Sequence, residues 1–230
     1  MKVFPVVHIH EESVAKDQAM IAIEEGADGV YLIDNHSHTP SRLFRVVKLL
    51  NQVYPRPFIG INILGLRPSQ QLDWCGSALD AGAISKAPGA VWSDLMDLDD
   101  DAAILKGTDR RLRNVITLGA ASFKDQDETE DPEISAESAM RAAVFSDIVV
   151  TSGSGTGIPP SKEKVDAMKD AVSTLNGKEL AVASGVSPDN VSSLSSADQV
   201  LVASSIETFK GSGVFDADEL KRMIETAHSL

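Results

Sequence analysis

Eight apolar runs alternate with amphipathic helices from one end of the chain to the other, and most of these runs are unbroken rather than alternating in polarity. Two of them, Leu180 to Ala183 and Gln199 to Ala203, run into small hydroxyl or glycine residues at Ser184-Gly185 and Ser204-Ser205. Three helix-to-strand corners repeat a small residue followed by Asp. Together these observations predict a (β/α)8 TIM barrel of parallel strands, one domain over residues 1–230. Parallel strands covered on both faces read as continuous apolar stretches, which is the pattern seen.

The strands are expected at 3–9, 29–34, 58–63, 83–86, 115–121, 147–152, 179–184 and 199–204. Between them, Leu43, Val46, Val47 and Leu50, and later Leu220, Met223, Ile224 and Ala227, recur at i, i+3, i+4, i+7, so each set forms one helix stripe facing the sheet. Thr39-Pro40, Asp131-Pro132 and Ser187-Pro188 read as helix starts, a capping oxygen followed by proline at the first helical position. Asp216 with Glu219 reads as a capping box. The repeated corners are Ala27-Asp28, Ser146-Asp147 and Ala197-Asp198. Eight units give a period of about 29 residues, the size of a compact barrel, and the strand count favours closure over an open doubly wound sheet.

Composition narrows the function. The net charge of −13 and the lack of a basic stripe argue against nucleic acid. No apolar run reaches the roughly 20 residues that span a bilayer, so no membrane insertion is expected and a cytoplasmic location is. Acidic residues concentrate at 94–101 and 125–131, as solvated loops and helix starts do. The single cysteine, Cys75, excludes an internal disulfide and a cysteine metal cluster, and belongs on a helix face. A homo-oligomer is expected on the general frequency of symmetric assemblies.

In a closed barrel the active face is built by the segments that follow the strands. The strand ends here are polar: His8 and His10, then Asp34 with His36 and His38, then Asn62, Lys86 and Lys124. Of each His pair, one imidazole is expected to face the cavity, His8 being the acid–base candidate; for His36 and His38 a polar loop is an equal reading. A metal site would call for more histidines on later strands, and the remaining one, His228, falls at the end of the last helix. No cofactor and no metal site is predicted, a divalent metal held by a His-x-His pair being the minor alternative. Asp34 and Asn62 suit sugar hydroxyls or general-base work, with helix capping the alternative. Lys86 and Lys124 suit phosphate neutralisation or a Schiff base, the latter being preferred because Phe123 precedes it.

A phosphate is expected after the last two strands, on Ser184, Gly185, Ser204 and Ser205, near the N-terminus of a short helix. The glycine-rich run Gly153, Gly155, Thr156 and Gly157 follows the sixth strand and would bring backbone amides close to the same anion. It is neither a Walker loop nor a dinucleotide fingerprint.

The order of these motifs, His8, Gly26 to Val30, Asn62, Val149 to Gly153 with Thr156-Gly157, and Ala183 to Val186 with Asn190-Val191, resembles the BtpA/SgcQ-type TIM barrels. That family is similar in style to phosphate-binding barrels such as phosphoribosylanthranilate isomerase. The resemblance covers most of the chain and implies a (β/α)8 fold with a phosphate-type ligand site. One family member is linked to photosystem I biogenesis. The isomerase resemblance fails at the first strand, where a catalytic cysteine would stand and this chain has His8-Ile9-His10. Two functions follow as expectations: an enzyme acting on a sugar phosphate or ribosyl/nucleotide-like substrate (isomerase, lyase or glycosyl transfer), or a non-catalytic assembly protein that keeps the anion pocket. Gly185→Asp is expected to abolish phosphate affinity with the fold intact.

Overall fold

The computed structural model describes residues 1–34, 40–54, 57–95, 100–124 and 129–230. Eight strands, β1 (Lys2–His8), β2 (Val30–Asp34), β3 (Ile59–Ile63), β4 (Ala90–Trp92), β5 (Ile116–Ala120), β6 (Ile148–Thr151), β7 (Glu179–Ala183) and β8 (Gln199–Val202), close into a barrel in chain order. All neighbours are parallel, including β8 against β1. The helices are α1 (Glu12–Glu24), α2 (Ser41–Val53), α3 (Pro68–Asp80), α4 (Asp100–Thr108), α5 (Pro132–Phe145), α6 (Lys162–Ser173) and α7 (Ala217–His228).

Two cores follow from the alternation of side chains along each strand. Phe4 and Val6 of β1, Tyr31 and Ile33 of β2, Trp92 of β4 and Leu201 of β8 pack inside the barrel. Val3, Val7, Val30, Leu32 and Ile61 pack outward against the helices, where they meet the stripes Leu43, Val46, Val47, Leu50 of α2 and Leu220, Met223, Ile224, Ala227 of α7. Inside, a large side chain sits beside a missing one: a Cβ on Gly60 would stand 2.2 Å from Tyr31 Cε1.

The repeated corners are one structural device used three times. Asp28 accepts from Val3 N at 2.8 Å, Asp147 from Thr117 N at 2.9 Å and Asp198 from Leu180 N at 2.7 Å. Each aspartate precedes one strand and takes the N–H at the start of the strand before it. Each is also met by a basic side chain, His228, Lys106 and Lys169 in turn. Asp131 and Asp216 cap their helices, each carboxylate accepting from two backbone N–H groups; the reciprocal half of the expected Asp216–Glu219 box is replaced by Asp216 N donating to Ile206 O.

Three expectations need correction. The fourth strand is Ala90–Trp92 rather than 83–86. Gly82, at φ +66°, ends α3 in a Schellman motif with Gly82 N on Leu79 O and Ala83 N on Ala78 O, so Ala83 and Ile84 belong to the helix stop. Lys86 therefore precedes β4, exposed at the barrel end away from the strand C-termini. Second, Ser187-Pro188 opens not an α-helix but a turn followed by the 3-10 segment Val191–Leu194. Third, Pro40 occupies the cap position of α2, with Ser41 the first helical residue. Thr39, His36 and His38 lie outside the described residues.

Candidate functional site

At the C-terminal end of the strands, the ends of β1 and β2 and residues at or after the ends of β3 to β8 line a cavity of about 890 Å³. Of the residues singled out from sequence, His8, Asn62, Lys124, Thr156, Gly157, Ser184, Gly185, Ser204 and Ser205 line it. His8 and Asn62 reach it because they continue the inward faces of β1 and β3, in step with Phe4 and Val6 and with Gly60.

Asp34 has the opposite parity. It continues the Val30 and Leu32 face of β2, is 2% exposed, and is not part of the cavity wall. Its cross-strand neighbour is Ile63, whereas Ile33 faces Asn62. Asp34 and Asn62 thus do not meet in the mouth. Gly153 and Gly155 also lie off the wall. A Cβ on Gly153 would fall 2.5 Å from Ile158 O, so this glycine lets the loop fold back on itself.

The two final strand ends lie side by side. Ala183 is registered with Leu201, and the Ser205 hydroxyl donates to Val186 O at 2.6 Å, tying the two loops together. Ser184 adopts φ +79°, and its hydroxyl accepts from Gly157 N at 3.1 Å and donates to Gly155 O at 3.2 Å. These hydroxyls therefore organise the loops. Asn190 completes the arrangement, donating to Gly185 O and accepting from Ser187 N. Gly185 itself stands at φ +69°, and a Cβ there would lie 2.1 Å from Pro159 N. An aspartate at that position would push the 158–159 backbone away, so Gly185→Asp would disturb the loops as well as any anion. With only the 3-10 segment Val191–Leu194 after β7, the helix N-terminus expected beside the anion does not form; an anion there would meet individual N–H groups and cations.

Those cations are Lys124 and Lys210. Lys124 is placed by its own backbone N–H on the Ser152 hydroxyl, and its Nζ donates to Thr156 Oγ1 at 3.2 Å. Lys210 comes from the excursion after β8, whose base is closed by a bridge between Glu207 and Phe215 and by Gly211 N on Glu207. Its Nζ would lie 3.4 Å from a Cβ on Gly157, which puts it beside the β6 loop. Sequence reading passed over Lys210; the available signal was a cation inside the Ser204 to Gly213 segment of an acidic chain. Lys164 was passed over too. Fully buried, it reaches from α6 to donate to Ser122 O at 3.0 Å and Ser152 O at 2.8 Å, holding the ends of β5 and β6.

Deeper in the cavity, Asn62 is 0% exposed and Trp92 6% exposed, and neither the Asn62 amide atoms nor Trp92 Nε1 has a hydrogen-bond partner among the described residues. Trp92 and Phe123 pack edge to face with centroids 6.3 Å apart. They line the cavity without closing it. Among the described residues, no three His, Cys, Asp or Glu side chains cluster as metal ligands would, and no helix is long and apolar enough to cross a membrane.

Fold and site together define a (β/α)8 barrel with a cavity at the C-terminal ends of its strands, the position at which barrels of this class carry their sites. Among particular relatives, phosphoribosyl anthranilate isomerase from Thermus thermophilus superposes with a TM-score of 0.64 at 13% identity, over 100% of this chain and 99% of that one. Tryptophan synthase subunit alpha from Legionella pneumophila gives 0.68 at 12%, over 100% and 93%. (S)-3-O-geranylgeranylglyceryl phosphate synthase from Thermoplasma acidophilum, solved with sn-glycerol-1-phosphate, gives 0.66 at 15%, over 100% and 94%. At such identities the likeness is one of fold. No family model matches the chain, and no curated protein does.

Proposed function

We propose that this protein is an enzyme acting on a phosphorylated small molecule of sugar-phosphate or ribosyl type. The observation that carries the reading is local charge: in a chain of net charge −13, Lys124 and Lys210 flank the cavity beside the joined ends of β7 and β8. In this reading the phosphate rests against Gly185, Ser204, Ser205 and Gly157, with Lys210 as its counter-charge. The binding energy of the phosphate then holds the reacting carbon toward His8 and Asn62, with His8 as the acid–base group. The structural neighbours named for phosphorylated compounds, and the resemblance to BtpA/SgcQ-type barrels, support the same reading. The rival, an assembly protein that has lost chemistry, is favoured by a filled pocket; a cavity of about 890 Å³ favours a ligand.

The test is calorimetric titration with ribose 5-phosphate. Lys210→Ala is expected to weaken binding about tenfold, the effect of losing one charge-assisted contact, with melting temperature unchanged. Equal affinity in the variant and the parent would remove the anion site.

A further inference from the structure

The phosphate end of the cavity says nothing about what lies at the other end, and there the structure is informative. β3 and β4 are in register with Gly60 beside Ala90 and Ile61 beside Val91, which brings Asn62 and Trp92 next to each other on adjacent strands, both facing inward. Between them they offer two N–H bonds of the Asn62 amide, its carbonyl oxygen and the indole N–H, and none of these atoms is engaged by the described residues. Buried polar atoms are ordinarily paired, so an unpaired donor–acceptor set on a cavity wall marks where a ligand makes its bonds. The surrounding wall is mainly apolar, Val6, Ile33, Phe123 and Leu201, with His8 entering it next to Ile33. Asp94, Lys124 and Lys210 come from segments beyond the strand ends, and Lys124 turns to Thr156 while Asp94 takes Gly65 N.

A bare sugar fits this floor poorly. Its several hydroxyls would meet Val6, Ile33 and Leu201 without partners, and each unpaired hydroxyl opposes binding. A flat apolar ring with one polar edge fits it: the ring faces lie against the hydrocarbon and aromatic wall, and the edge carries an acceptor for Asn62 Nδ2 or Trp92 Nε1 beside a donor for Asn62 Oδ1. Resting on the phosphate-binding reading above, we propose that the end of the ligand remote from its phosphate is an uncharged ring edge of lactam type, a carbonyl next to an N–H, as a nucleobase presents.

The experiment compares uridine 5′-monophosphate, ribose 5-phosphate and inorganic phosphate by calorimetry on the intact chain, in the parent and in Asn62→Leu and Trp92→Phe. Uridine 5′-monophosphate is expected to bind at least about tenfold more tightly than ribose 5-phosphate, because a site built to pair polar groups discriminates against ligands lacking them. Asn62→Leu should erase that preference while inorganic phosphate affinity stays within about twofold. Trp92→Phe, which keeps the ring and removes only the N–H, provides the same readout should Asn62→Leu fail to fold. If ribose 5-phosphate binds and the uridine compound binds no better, or if its preference survives both substitutions, the ring-edge assignment is overturned and the anion site stands. If none of the three binds the parent chain, the phosphate reading falls and this one with it.

Discussion

Gly60 shows how much a single missing side chain can decide. It lies in β3 with an ordinary extended backbone, so its requirement is space: the Tyr31 ring occupies the volume a methyl would need. Gly60→Ala is expected to lower stability by about 1–3 kcal/mol in urea unfolding, the usual range for overpacking a closed core. Cys75 illustrates the opposite, a residue whose chemistry burial switches off. Burial pushes its thiol up to about 12, so at pH 8 it should resist iodoacetamide in the native chain and react once the chain is unfolded. Rapid native labelling would contradict the packing of α3. Of the site residues, His8 and Asn62 could be found from sequence because each is a polar residue at or next to the end of an apolar run, and both prove to have the inward parity. Asp34 ends such a run too, but on the other parity, and a strand end taken from sequence alone does not say which of two consecutive residues faces in. Lys210 stood in a loop with no periodicity to place it.

At the scale of elements, the three corner aspartates do for the barrel's N-terminal end what caps do for helices. Removing the Asp198 carboxylate leaves Leu180 N unpaired at the start of β7 and Lys169 without its partner, so Asp198→Ala should cost about 1–3 kcal/mol of stability. Asp147 gives the pH dependence. Burial pushes its carboxyl up, but Lys106 and the Thr117 N–H and hydroxyl outweigh burial, and the net shift is downward from the ordinary 3.8. A carboxyl lowered in the folded state adds stability that is present above its unfolded pKa and lost as pH falls through the folded one. Asp147→Asn should therefore be less stable than the parent near neutral pH, and the gap should narrow below about pH 4. These corners were legible because each is a contiguous pair of residues next to a strand. β4 was misplaced because Ala83 and Ile84 look like a strand start, while the Schellman bonds that assign them to the end of α3 depend on Gly82 adopting positive φ.

For the whole molecule, an acidic surface surrounds a cavity flanked by two lysines. Self-repulsion at net charge −13 should make the chain more stable as salt rises, and a melting temperature increasing between about 10 mM and 1 M KCl would show it. The number and order of the strands and most of the helices followed from the sequence by itself, the position of β4 and the 3-10 segment after β7 apart, because hydrophobic period, capping oxygens and corner aspartates act between residues a few positions apart. Which side chains share a cavity was decided only by closure of the barrel. That closure brings Lys210 to Gly157 and Ser205 to Val186, and it sets Asn62 beside Trp92, both on the cavity wall. The bonds and gaps that make the site join segments tens of residues apart, and no local pattern encodes a distance that exists only once eight strands have gone round and met.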